Sequence, residues 1–295
     1  MQVPNLVQYQ GSKRKLAPQI MPFFPRHSAR MIEPFCGMAS MTLAIAQNGM
    51  ADEYWLNDLN KDVADVLRAA IDEPERLISE YGRVWAEQFD WDGGHVEHYL
   101  FIRDEYNRGR ANDGMFLYLV ARVAKGAIRY SSNGMNQYVD RRRHGTKPDT
   151  MAKNIMMIHA LLHGRTQVTS MDYKDILAEC CTGDVVYMDP PYQGTSGKKD
   201  SRYIAGVSVD ELEKELHVLD RREIPYILSY DGVCGDKSYG RDLDPALQCR
   251  KLLLNAGRSS QATLNGINAT TFEALYVSDR LTKNRPEAEQ IMLEV

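Results

Sequence analysis

The sequence has no apolar run approaching the roughly 18 residues a membrane span needs. Its first residues, MQVPNLVQYQGSKRK, lack the apolar segment of a signal peptide. Cysteine is scarce: the five present are an odd number, scattered apart from the adjacent Cys180-Cys181. That is no disulfide framework, and the His and Cys spacings hold no zinc pattern. His159 and His163 stand four apart with no acid partner or third ligand to complete a metal site. Internal repeats and low-complexity tracts are also missing. So is an excess of positive charge: the net charge of −4 argues against a uniformly basic nucleic-acid binder. These absences predict a soluble, cytoplasmic protein of a reducing compartment, without a metal or a membrane partner.

What is there reads as α/β. Buried strands are expected in RMIEPFCG from Arg30, EYWLNDLN from Glu53, DVVYMDPPY from Asp184 and IPYILSYDG from Ile224. Between the first two, SMTLAIAQNG from Ser40 predicts a helix with Ser40 as N-cap and Asn48-Gly49 as stop. Strand, glycine-containing turn, helix and strand make the βαβ unit of a parallel sheet. VDELEKELHVLDRR from Val209 reads as an amphipathic helix. At 295 residues the chain can bury one large α/β core and carry a smaller second domain.

From about Lys61 to Gly164 the character changes to helix-like segments, ADVLRAAI and GMFLYLVARVAKGA, followed by RYSSNGMNQYVDRRR. There Asn133-Gly134 is a hairpin turn signal. The expected organisation is a core of residues 1–60 and 165–295 and an insert of 61–164. Arg122, Lys125, Arg129, Arg141, Arg142, Arg143 and Lys147 stand against the single acid Asp140, a candidate electrostatic footprint within an acidic chain. Tyr99, Tyr106 and Tyr118 are read as insert core, and Cys36 as a small buried filler. GRSSQATLNGINATTFEALYVSD, residues 257–279, fits a closing antiparallel hairpin on the sheet edge. In it Thr270, Thr271 and Ser259-Ser260 are read as structural before DNA-touching.

Chemistry concentrates at strand ends. EPFCGMAS ends the first strand in a turn where Gly37 permits close backbone approach to a ligand and the following helix offers free N–H groups. Asp58 lies 25 residues beyond Glu33, near the spacing at which an acid bonds ribose hydroxyls. Glu33 and Pro34 before the turn serve a pyrophosphate poorly, so a nucleoside-containing cofactor without one is favoured. In DVVYMDPPY, two prolines stiffen the segment after an acid at the strand end. The amino group of a nucleobase is a poor nucleophile, because its lone pair is delocalised into the ring. Asp189 and the carbonyl of Pro190 can accept its two N–H bonds and localise that lone pair, with Pro191 fixing the turn and Tyr192 stacking on the base. Methyl transfer then needs positioning and electrostatic stabilisation.

EPFCGMAS, NDLN and DPPY in that order, with YQGSKRKL ahead of them, resemble the Dam-type DNA adenine-N6 methyltransferases, the D12 class or α group. The likeness covers most of residues 6–60 and 165–232. It implies a Rossmann-like methyltransferase sheet that uses S-adenosyl-L-methionine, with a mostly helical target-recognition insert carrying a β-hairpin. Carried onto this sequence, it implies that Tyr9 and Lys13 close over the methionine end, Lys13 favouring its carboxylate. Glu33, Pro34, Phe35, Gly37, Ala39 and Ser40 form the turn beneath, Asp58 holds the ribose, Asp172 meets the cofactor's adenine amine and Tyr173 lies beside its ring. Asp189, Pro190, Pro191 and Tyr192 hold the flipped target base, Asp189 also facing the cofactor. RYSSNGMNQY resembles the family's target-recognition segment. Lys125, Arg129, Asn133, Asn136, Arg141, Arg142 and Arg143 are then the DNA-binding residues, phosphate contacts positioning the duplex and base-edge contacts reading it. Two departures stand out: Ala39 replaces the usual second glycine, and Met135-Asn136-Gln137-Tyr138 replaces the usual Phe-Asn-Val-Pro.

The implied function is site-specific methylation of adenine N6 in double-stranded DNA, with base flipping; a cognate restriction endonuclease is a further partner the resemblance allows. Three alternatives stay open: cytosine-N4 methylation, an RNA substrate, and a non-catalytic DNA-binding protein of the same fold.

Overall fold

A computed structural model describes residues 3–9, 11–123, 128–132, 134–191, 207–234, 237–258 and 270–282. Along the chain the helices are α1 (Ala17–Ile20), α2 (Ser40–Gln47), α3 (Lys61–Asp72), α4 (Pro74–Glu87), α5 (Gly94–Asn107), α6 (Asp113–Arg122), α7 (Pro148–Leu162), α8 (Tyr173–Ala178) and α9 (Val209–Arg221). The strands are β1 (Ser28–Glu33), β2 (Ala51–Asn57), β3 (Tyr130–Ser131), β4 (Gly134–Met135), β5 (Thr166–Thr169), β6 (Asp184–Met188), β7 (Tyr226–Cys234), β8 (Lys237–Tyr239), β9 (Cys249–Arg258) and β10 (Thr270–Ser278).

Among these residues the main sheet runs β5-β2-β1-β6-β7-β10-β9, with β8 added on β7. The pairs β2–β5, β1–β2, β1–β6 and β6–β7 are parallel. β10 is antiparallel to both its neighbours. This is the expected Rossmann-like architecture. The chain moves outward from β1 through β2 to β5, then returns to place β6 on the other side of β1. The order therefore reverses between β1 and β6, and ligands bind beyond the carboxyl ends of strands at such a point.

The inner strands are apolar because both faces of the sheet are covered. Side chains alternate between the two faces along each strand. Met31, Val185 and Tyr187 join one buried cluster with Leu43 of α2 and Leu67 of α3, while Ile32, Val186 and Met188 join another with Leu212 and Leu216 of α9. Arg30 grips Asp184 with two hydrogen bonds, 3.0 and 2.8 Å, across β1 and β6. The helix starts follow ordinary capping chemistry. Asn60, Asn112 and Asp172 accept from backbone N–H groups of α3, α6 and α8, and Pro74 and Pro148 open α4 and α7.

Residues 61–164 contain α3–α7 and the hairpin β3–β4. Among the described residues their apolar side chains do not close a separate core: Val63, Leu77, Leu119 and Ile155 share the cluster of Met31 and Tyr187. α3 packs on β5 and α7 on α2, so both ends of this stretch lie against the sheet layer. Tyr99 and Tyr118 are fully buried, as expected of insert core.

Two local expectations shift. Ser131 pairs with Gly134 and Tyr130 with Met135, so Gly134 begins β4 rather than occupying the turn. Gly134 has a φ of +98°, and a β-carbon there would lie 2.5 Å from the Asn107 side chain. Asn107 clasps Met135 through both its N–H and C=O, which holds the register. The closing hairpin uses β9, beginning at Cys249, as its first strand rather than lying within 257–279. No described helix is long and apolar enough to cross a membrane, and no described cluster of His, Cys, Asp and Glu could hold a metal.

Candidate active site

The turn after β1 is tied to the end of β2. The Cys36 N–H donates to the Asn57 carbonyl at 2.8 Å, and the Gly37 N–H donates to Asp58 Oδ2 at 2.9 Å. Asp58 Oδ1 accepts from the Asn60 N–H at 2.8 Å. Gly37 adopts a φ of +50°, and a β-carbon would meet the Tyr9 ring at 3.3 Å. Glycine takes this conformation without strain and leaves room for the close approach of the Tyr9 ring. Ala39 is also left-handed, at φ +55°, and precedes α2 without a side-chain cap. Ser40 is consequently the first helical residue, not the N-cap. Ala39 is fully buried and off the cavity wall, so its part is conformational rather than contact with a ligand.

Asn57 joins three strand ends. It donates to the carbonyls of Pro34 and Met171, both at 3.0 Å, and accepts from the Met171 N–H and the Thr169 hydroxyl, both at 2.9 Å. Beneath the turn, Glu33 is buried and accepts from the N–H and hydroxyl of Thr42. Burial pushes its carboxyl up to about 8, with the Thr42 bonds opposing. Burial likewise lifts Asp58 to about 6, against the N–H groups of Asn60 and Gly37.

At the end of β6, Asp189 lies 2.8 Å from the Lys13 ammonium, which is also 2.9 Å from Glu273 of β10. Burial raises Asp189 to about 6; Lys13 lowers it and Glu273 raises it. Lys13, expected to serve the cofactor's carboxylate, is buried and pairs with these two acids. Below them the Tyr187 hydroxyl meets Ser229 Oγ at 3.0 Å.

These groups face one cleft of about 920 Å³. Tyr9, Lys13, Glu33, Pro34, Phe35, Gly37, Ser40, Asp58, Asp172, Tyr173, Asp189, Pro190 and Pro191 line it. Cys36 lines it too, its thiol pushed well up by burial. The Phe35 and Tyr173 rings lie 5.0 Å apart, forming one aromatic wall. The buried Tyr173 hydroxyl has no hydrogen-bond partner among the described residues. Asp172 faces the cleft and caps α8 through the Lys174 N–H. Tyr192 lies outside the described residues.

The sequence reading missed four contributors. Asn57 was visible as the polar residue closing the apolar run EYWLN. Glu273 was visible as a charge inside TTFEALYV. Asn60 closes NDLN and Tyr130 lies in RYSSNGMNQY, but nothing local shows that they meet; Asn60 donates to the Tyr130 hydroxyl at 3.0 Å, bringing the first strand of the hairpin to the cleft wall.

Beyond the cleft, Arg129, Asn136, Arg141, Arg142 and Arg143 are exposed. Asp140 pairs with the guanidiniums of Arg142 and Arg143 at 3.4 and 3.3 Å. Lys125, Asn133, Ser259 and Ser260 lie outside the described residues. Arg122, counted with the basic footprint, is fully buried instead. It donates to Gln88 and to the Tyr118 hydroxyl, both at 2.6 Å, and reaches His95 Nδ1 at 2.9 Å. Its carbonyl accepts from the Asp140 N–H at 3.2 Å, so it anchors the basic loop from inside.

Residues 9–251 match the family model of the D12 class N6 adenine-specific DNA methyltransferase. The chain belongs to this family. The D12 match takes in every described group of the cleft except Glu273, Ala256 and Asn5 with Gln8. Among similar proteins, the DNA N-6-adenine-methyltransferase of Escherichia phage P1 is 26% identical over 193 residues, covering 64% of this chain and 24% of that protein. The type II methyltransferase M1.LlaDCHI of Lactococcus lactis subsp. cremoris is 26% identical over 190 residues, 62% of this chain and 63% of the relative. The DNA adenine methylase of Serratia marcescens is 26% identical over 190 residues, 63% and 66% respectively. The chain spans less than two thirds of the length of these relatives. D12 methyltransferases in general use S-adenosylmethionine as methyl donor. The cleft fits such a molecule chemically. Acid acceptors at Asp58 and Asp172 suit hydroxyl and amine donors, an aromatic wall suits a purine, and the surrounding carboxylates suit a cationic sulfonium.

Proposed function

We propose that this chain is a site-specific DNA methyltransferase that moves the methyl group of S-adenosylmethionine to the N6 amine of adenine in duplex DNA. One observation carries the reading: the Gly37 turn, Asp58 and Asp189 converge on one cleft where the strand order reverses. When bound, S-adenosylmethionine supplies an electrophilic methyl group on a sulfonium.

The chain's own residues do the rest. Asp58 accepts ribose hydroxyls while staying fixed by Gly37 and Asn60. Glu33, Pro34, Phe35 and Ser40 shape the floor, and Tyr9 covers Gly37. Asp172 accepts from the cofactor's adenine amine beside Tyr173. At the acceptor end, Asp189 and the Pro190 carbonyl take the two N–H bonds of the target amine and localise its lone pair, with Pro191 and Tyr192 bounding the base. Positive charge developing on that nitrogen meets the Asp189 carboxylate in a site largely shielded from water, where such electrostatic stabilisation is strongest. Burial also makes Asp189 a better proton acceptor than an exposed aspartate. A base cannot reach this depth while stacked, so the target nucleotide leaves the duplex.

In the same reading residues 1–60 and 165–295 form the catalytic part and 61–164 recognise the target. Lys125, Arg141, Arg142 and Arg143 neutralise phosphates, while Asn133, Asn136 or Arg129 reaches base edges in the major groove. The test is transfer of labelled methyl from S-adenosylmethionine to DNA of diverse sequence. Incorporation by the wild type and its loss in a folded Asp189→Ala variant are expected; no incorporation on any duplex overturns the reading.

A further inference from the structure

The Lys13 ammonium serves two carboxylates at once, 2.8 Å from Asp189 and 2.9 Å from Glu273, and donates to the Gly11 carbonyl at 3.2 Å. Little water reaches them: the Lys13, Asp189 and Glu273 side chains are 5, 18 and 12% exposed. Nothing in the proposed methyl transfer uses Glu273, yet its position is built. On β10 it shares a face with Leu275 and Val277, which pack in the cluster of Tyr187 and Ile227. The β7–β10 pairing passes from Gly232↔Glu273 to Ser229↔Leu275, so Tyr230 and Asp231 together oppose Ala274. This is a bulge, the device that re-aims side chains beside active sites. Asp231 takes a left-handed φ of +57° in it. A β-carbon on Gly232 would lie 2.2 Å from the Phe272 carbonyl oxygen, so glycine is required where β7 meets the residue next to Glu273.

We propose that Glu273 is a positioning residue of the methyl-transfer site: by sharing Lys13 with Asp189 it keeps the Asp189 carboxylate available to the target amine. The inference rests on the proposed chemistry at Asp189. With Glu273 neutral, Lys13 is drawn more fully to Asp189 and occupies lone pairs that the amine needs. Among the described residues, the groups facing Asp189 are Lys13 before α1, Glu273 on β10 and Glu33 on β1, with the Tyr187 phenol below on β6. Arg14, on the same turn as Lys13, is turned to the Val3 carbonyl. Removing Glu273 leaves the lowering influence of Lys13 on Asp189 and takes away a raising one.

The experiment is carboxyl ¹³C NMR titration of the full chain, the Asp189 signal assigned with Asp189→Asn, in wild type, Glu273→Gln and Glu273→Asp. It is paired with kcat and KM on duplex DNA. Expected for E273Q are an Asp189 midpoint lowered by about half a pH unit or more and a kcat reduced about tenfold or more with KM for S-adenosylmethionine nearly unchanged. E273D, which keeps the charge, restores the midpoint and most of the rate. Should E273Q not fold, Glu273→Met takes its place with the same expectations. An unmoved midpoint, an E273D that behaves like E273Q, or a moved midpoint with unaltered kcat overturns the proposal. Wild-type protein that binds S-adenosylmethionine and methylates no DNA overturns the parent reading instead, whatever the titration gives.

Discussion

The backbone N–H of Gly37 donates to the carboxylate of Asp58 at 2.9 Å, so the turn after β1 and the acid ending β2 form one rigid corner. In the proposed function that corner holds the cofactor's ribose. Asp58→Ala is expected to weaken binding of S-adenosylmethionine about 10- to 100-fold, the range of one or two lost hydrogen bonds to a charged group. The Asp58 carboxyl sits at about 6 because of burial. Wild-type affinity should therefore fall as pH drops through about 6, and calorimetric titrations between pH 5 and 8 check both expectations.

Ala39 at φ +55° occupies backbone space that costs a non-glycine residue about 1–2 kcal/mol. Glycine there loses about 0.4–1 kcal/mol through the greater freedom of the unfolded chain. Ala39→Gly is expected to stabilise the protein modestly, by about 0.5–1 kcal/mol. Denaturant or thermal unfolding reads this directly; an equal loss of stability would place the strain elsewhere.

Glu33 binds its proton more tightly folded than unfolded, at about 8 against an ordinary 4.5. Its contribution to stability is full below about 4.5 and is lost as pH rises toward 8. Asp58 and Asp189, both raised to about 6, act in the same direction lower in that window. Melting temperature is expected to fall as pH rises from about 4.5 to about 8. Glu33→Gln keeps an acceptor oxygen for Thr42 and should flatten the upper part of that slope. The effect is on the order of a few kcal/mol, from about 1.4 kcal/mol per pH unit.

The exposed Arg141, Arg142 and Arg143 follow the hairpin, partly offset by Asp140. If they contact phosphates, each replacement by alanine lowers the slope of log K against log salt by about 0.9. Arg141→Ala with Arg142→Ala should weaken duplex binding and reduce the slope by about 2. Unchanged binding removes this run from the interface. Arg122→Ala should act differently: it empties a buried network with Gln88, Tyr118 and His95 and lowers stability first.

The core strands were legible because parallel strands buried on both faces leave apolar runs, punctuated here by Pro34, Asn57 and Asp189. The corner of Gly37 and Asp58 was legible because its chemistry lies within two adjacent strand ends. What escaped was set by contacts distant in sequence. The hairpin register follows from Asn107 gripping Met135, which a turn signal at Asn133-Gly134 does not reveal. Arg122 counts as a surface charge until α6 is packed and its guanidinium is buried. Lys13 and Glu273 stand at opposite ends of the chain, and nothing local announces that they meet. Ser40 looked like a cap because serine favours that place, but the left-handed Ala39 fills it.

The most direct test is the identity of the methylated nucleoside. DNA treated with the wild-type chain and S-adenosylmethionine is digested to nucleosides and resolved by mass spectrometry. The account predicts N6-methyladenine from the wild type and none from a folded Asp189→Ala variant. N4-methylcytosine in its place, or N6-methyladenine that survives the loss of the Asp189 carboxylate, would contradict it.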